Sequence, residues 1–170
     1  MSISSNLVEF DSSGRIVKAA APKGVCIPTD SIQTGRESAF LLMDDCDLPS
    51  KMGGVLSVSI AGAPMTLGPE GLERFFRTEA GIVGLGYGGD IEDVALIEAT
   101  IGDGAVFAVI EDRSEFGPPF AGDVICRAFT ELNGRMAVVT LMSLRDRPED
   151  PAKLSAELKR IVAALRAANA

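Results

Sequence analysis

The segment Ala121–Leu144, AGDVICRAFTELNGRMAVVTLMSL, decides the fold. Two β-rich runs flank Asn133-Gly134, and a two-residue type I′ turn needs positive φ at both positions, which Asn and Gly tolerate. With that turn in place Leu132 faces Arg135, and pairing continues as Thr130 with Ala137, Ala128 with Val139 and Cys126 with Leu141. The opposite face carries Ile125, Phe129, Val138 and Met142, interrupted by Arg127, Glu131 and Thr140. An antiparallel sheet wet on one side alternates apolar and polar positions. Here both faces are largely apolar. The hairpin is therefore expected to be covered on both faces near its centre and to pack beside strands around 93–112.

Downstream, Pro151 to Ala168 reads as a helix with Asp150 as its N-cap. Leu154, Leu158, Ile161, Leu165 and Ala168 step by four and three, which makes a single apolar seam. Acidic residues lie toward its start and Lys159, Arg160 and Arg166 toward its end, which suits the helix dipole. The small side chains Ala128 and Ala137, with Val139, offer a surface that such a helix can approach closely.

Upstream, Pro69 to Ala80 reads as the first clear helix. Pro69 takes the first position, Gly81 serves as C-terminal cap, and Leu72, Phe75, Phe76 and Glu79 form a stripe with three apolar members. Asn6 to Phe10 and Arg15 to Ala20 flank Asp11-Ser12-Ser13-Gly14, a tetrapeptide with hairpin-turn chemistry. A short strand is expected at Val25 to Ile27, and longer ones at Ser38 to Asp44 and Val55 to Ala61. The order implies one α+β domain over residues 1–170, an antiparallel sheet of about six to eight strands flanked by two main helices. A chain of this length buries roughly two-thirds of its unfolded surface and needs no disulfide or metal to hold a core.

Composition narrows the function. The chain has no histidine, so the commonest general base and metal ligand are missing. A net charge of −8 argues against nucleic acid, whose binding needs clustered cations. The densest basic cluster, Lys159-Arg160 with Arg166, sits on a helix that also carries Glu157. Three cysteines, Cys26, Cys46 and Cys126, form no Cys-x-x-Cys pair and are expected to stay reduced. Met1 to Asp11 lacks a cationic segment followed by a long apolar run, and no apolar run approaches a membrane span. A cytoplasmic protein with no membrane span is the expectation.

The strand that runs into Ala-Ala-Pro-Lys-Gly near residue 20, and the tail Asn-Gly-Arg-Met-Ala-Val-Val-Thr-Leu-Met-Ser-Leu leading into a helix, resemble the PsbP-like fold, as does the order of elements. That fold is an α/β/α sandwich of photosystem II extrinsic subunits, of a nuclear-transport factor that binds the GTPase Ran, and of many bacterial proteins. The resemblance implies a non-catalytic bacterial accessory or interaction protein. It carries no functional residue over to this chain.

Several stretches invite chemistry. Gly81 to Gly89 is glycine-rich, but it follows a helix and precedes strands, the reverse of a dinucleotide loop, and it lacks Gly-Lys-Ser/Thr. Asp44, Asp45 and Asp47 lack the spacing of a calcium loop and read as a solvated acidic turn. Glu92, Asp93, Glu98, Glu111 and Asp112 lie near strand ends, where paired carboxylates would serve a hydrolase. No residue is assigned as catalytic, metal-binding or cofactor-binding. In Phe116-Gly117-Pro118-Pro119-Phe120 two prolines hold two aromatics between central strands. This loop is the candidate contact for a protein partner or small apolar ligand, set against side chains that simply tuck into the core edge. An alternative is a ligand pocket between sheet and helix lined by Phe107, Phe129, Met136 and Met142; self-association into a homo-oligomer is compatible with either reading.

Overall fold

Asn133 and Gly134 take φ of 50° and 76°, the positive pair that a type I′ turn requires. In the computed structural model, which describes residues 4–170, the hairpin has the expected register, from Leu132 opposite Arg135 to Cys126 opposite Leu141. Met1 to Ile3, the start of the segment read for a leader, lie outside the described residues.

In chain order the first elements are β1 (Ser4–Ser5), β2 (Leu7–Ser12), β3 (Arg15–Ala20), β4 (Val25–Pro28), β5 (Gln33–Thr34), β6 (Ala39–Asp45) and β7 (Gly54–Ile60). They are followed by α1 (Pro69–Phe75), α2 (Glu79–Leu85), β8 (Val94–Gly102), β9 (Ala105–Asp112), β10 (Ala121–Leu132), β11 (Arg135–Leu144) and α3 (Pro151–Ala168). Nine strands form one antiparallel sheet, β1-β4-β6-β7-β11-β10-β9-β8 with β5 also on β6, while β2 and β3 stand apart as a ribbon. The sheet is larger than expected because β1 and β5 are two residues each and too short to show a pattern.

Both faces of the central hairpin are covered. On one, Cys126, Ala128, Ala137, Val139 and Leu141 meet Leu154, Leu158, Ile161 and Leu165 of α3, and the ribbon adds Phe10, Val17 and Ala19. On the other, Ile125 is buried with Phe76 and Leu85, and Phe129 and Met142 pack against them. The polar interruptions of that second face are used locally. Arg127 and Thr140 stand opposite each other; Arg127 donates to Thr140 Oγ1 at 2.9 Å and to the Leu85 carbonyl that ends α2 at 2.8 Å. Glu131 accepts from Met65 N at 3.2 Å. The turn itself is held down: Asn133 Nδ2 donates to Ile16 O at 2.7 Å, and Arg135 Nε donates to Ser12 O at 3.0 Å.

Two expectations are corrected. The helix over 69–80 is split. Thr78 Oγ1 donates to Phe75 O at 2.7 Å and accepts from Gly81 N at 3.1 Å, so it ends α1 and caps α2. Gly81 thus lies inside α2 rather than closing α1, and of the expected stripe only Phe76 is buried, while Phe75 is 42% exposed. The second correction concerns the cysteines. Cys26 and Cys46 form a disulfide, with their Cα atoms 5.0 Å apart. The antiparallel pairing of β4 with β6 sets Cys26 opposite Asp44 and ties Cys46 N to Gly24 O at 2.9 Å, which makes the two cysteines diagonal neighbours across a ladder. Their 20-residue spacing in sequence hides this.

Cys126 is free and buried, and burial, reinforced by Glu98, pushes its thiol up to about 12. Thiol titration will therefore count no reactive group in the native protein, one after unfolding without reductant, and three after reduction. Docking of α3 has its own test. Leu158→Ala will cost about 2–5 kcal/mol, seen as a clear fall in melting temperature. Lys153→Ala, which removes only an exposed pair with Glu149, will change it little.

Candidate functional site

The Phe116–Phe120 connection and the Gly81–Gly89 run, which are separate in sequence, meet around one buried carboxylate at the end of β9. Asp112 is 1% exposed. Its Oδ2 accepts from Tyr87 N at 2.7 Å and its Oδ1 from Ser114 N at 2.8 Å. Burial raises its pKa, but these hydrogen bonds outweigh that and hold the carboxyl below its ordinary value. Gly86 permits the clamp, since a Cβ there would stand 2.5 Å from Asp112 Oδ2. The glycines after α2 therefore close a loop onto an aspartate of this chain, and the first part of the run, expected as connection, is helical up to Leu85.

Tyr87 extends the clamp. Its ring lies against Gly117, and its hydroxyl donates to Gly122 O at 3.2 Å. Ala121 N donates to Pro118 O at 3.0 Å, and Arg145 N to Phe120 O at 2.9 Å. The loop is thus fixed at its base and its second half while its aromatic side chains point outward. Phe116 is 70% exposed and Phe120 is 47% exposed, so neither tucks into the core edge. Pro118 is half-buried and Pro119 exposed. The β6–β7 connection leaves the same end of the sheet and carries Leu48, which is 78% exposed.

The other candidates are dispersed. Glu111 pairs with Arg113 at 2.7 Å, and Asp112 is occupied by the clamp. Asp45 accepts from Lys51 N at 2.6 Å and Asp44 from the Ser50 hydroxyl, which orders the acidic turn. Among the described residues no group of three His, Cys, Asp or Glu is placed to hold a metal. The four residues expected to line one ligand pocket are divided by the sheet. Phe129 and Met142 join the α1–α2 side, and Met136 lines an open depression with Phe40 and Val138. Phe107 alone borders a cleft beside α3.

That cleft, of about 520 Å³, lies between the second half of α3 and the β8–β9 turn, at the opposite end of β9 from the aromatic loop. Its lining includes Ile101, Phe107, Val162, Ala163, Lys159 and Arg166. Its signals stand in the sequence as an Asp-Gly turn at Asp103-Gly104 and cations seven apart on one helix, but their juxtaposition does not. Among the described residues no helix is long and apolar enough to cross a membrane.

No protein-family model, curated protein or solved structure matches this chain.

The clamp has a direct optical test, because Tyr87 is the only tyrosine and tryptophan is absent. Burial, augmented by Asp112 and Asp123 and partly offset by Arg127, pushes the phenol up to about 12 from its ordinary 10. Alkaline difference absorbance should place the native transition near 12, whereas the unfolded chain titrates near 10. The unfolded state then loses this proton first. The contribution to stability is complete below pH 10 and is lost as pH rises from 10 toward 12.

Proposed function

We propose that the protein is a non-catalytic interaction module of the PsbP-like kind, which holds a protein partner through the Phe116–Phe120 end of its sheet. One observation carries this reading: two phenylalanines stand exposed on a loop whose backbone is fixed by prolines, by hydrogen bonds and by the Tyr87 ring. Exposed aromatics at a rigid tip are what an interface core is built from, since each Phe buried contributes roughly 1.5–3 kcal/mol and little ordering cost offsets it. A loop with no contact role has a cheaper solution available, in which its aromatics fold back onto the sheet end.

Charge agrees with this class of partner. The chain is at −8, and the cations that look clustered in sequence form no continuous run: Arg160 pairs with Glu157 at 2.7 Å, while Lys159 and Arg166 lie two helical turns apart. A phosphate backbone has no continuous stripe to follow. The Cys26–Cys46 bond supports residence in an oxidising compartment, in place of the cytoplasm expected from sequence.

Site-specific photo-crosslinking tests the reading. A photoreactive residue at position 116 will yield a discrete adduct with one host protein, and the same residue at position 153 will not. The double variant Phe116→Ser, Phe120→Ser will lose that partner at least about tenfold while keeping its melting temperature, because neither ring supports the core. Equal adducts from both positions, or an undiminished partner with the double variant, would remove the loop from function.

A further inference from the structure

We infer that the cleft between α3 and the β8–β9 turn is a binding site for a small amphipathic carboxylate, an aliphatic chain carrying one terminal acid group. The site is independent of the aromatic loop and lies at the other end of the sheet. Its volume of about 520 Å³ falls within the range of small-molecule sites, with exposed Ala163 on its wall and the largely buried Phe107 and Val162 at its floor.

The charges select the headgroup. Lys159 and Arg166 are seven residues apart on α3, so they flank the cleft at a spacing of about 10 Å, two helical turns, with Val162 and Ala163 between them. Neither forms an ion pair among the described residues. Two unpaired cations face one carboxylate, Asp103, in the lining. Two cations against one carboxylate give the lining a local positive excess, which complements an anion rather than a neutral or cationic ligand.

Arg166 is also pre-positioned. Its Nη1 donates to the hydroxyl of Thr130, which is fully buried and itself donates to Gly104 O at 3.3 Å. The guanidinium sits close against the β8–β9 turn: a Cβ at Gly104, where φ is +78°, would stand 2.6 Å from Nη2. A planar fork held in this way loses little freedom when it receives a carboxylate. Lys159, 5.6 Å above the Phe107 ring centroid, is an exposed and adjustable second donor at the other end. Medium length follows from the geometry, because a chain headed at Arg166 can run past Val162 toward Phe107 before it reaches Lys159.

Binding of decanoate below its micellar concentration to the full chain, followed by amide chemical shifts, tests the site. Perturbations should centre on residues 101–107 and 159–166, with affinity falling as salt rises. Decanol should bind at least about tenfold more weakly, as should decanoate to Lys159→Met and to Arg166→Gln. Ala163→Trp fills the cleft from an exposed position without touching the core and should abolish binding while the melting temperature holds. Three results would overturn the assignment: equal affinity for decanol and decanoate, perturbations centred elsewhere, or undiminished binding to Ala163→Trp.

Discussion

The register of the β10–β11 hairpin is the constraint on which the rest of the molecule depends. Side chains alternate with a period of two, so a slip of β11 by one residue against β10 would send Ala137 and Val139 away from α3 and present Val138 to it instead. The Leu154–Leu165 seam could then no longer approach the sheet closely. The same slip would separate Arg127 from Thr140. One turn with two positive-φ residues therefore sets the packing of both layers. The ribbon reinforces it from outside, through Asn133 to Ile16 and Arg135 to Ser12.

A second constraint operates at the far end of the sheet. Asp112 is a buried carboxylate whose desolvation is met by backbone N–H groups instead of a cation. Such a group is stable only if both donor segments stay in place, so the loop after α2 and the loop after β9 are ordered together. That coupling is what leaves Phe116 and Phe120 exposed on a firm base rather than on a mobile loop. The two candidate sites thus have different origins. The aromatic tip rests on a satisfied buried charge, whereas the cleft beside α3 depends on cations left without an acidic partner.

Much of the architecture was legible from residues alone wherever a local rule applied. The Asn-Gly turn, the apolar seam of α3, Asp150 at its N-cap and the first ribbon all follow from short-range geometry. The break in the helix over 69–80 is not legible, because Thr78 both stops one helix and caps the next, and propensity does not say which when both uses coincide. The exposure of Phe116 and Phe120 was not legible either, since an aromatic beside prolines suits a core edge and a tip equally well.

By itself the sequence determined the α+β class, the central hairpin with its register, and the helix that covers it, because each is specified by residues within one turn or one repeat of one another. It also determined which chemistries lack their side chains, histidine above all. Tertiary structure alone decided the Cys26–Cys46 bond, the clamp on Asp112, and the pairing of α3 with the Asp103-Gly104 turn to form a cleft. Each of these joins segments at least 20 residues apart, and such contacts arise only after strand pairing has fixed which ends lie side by side.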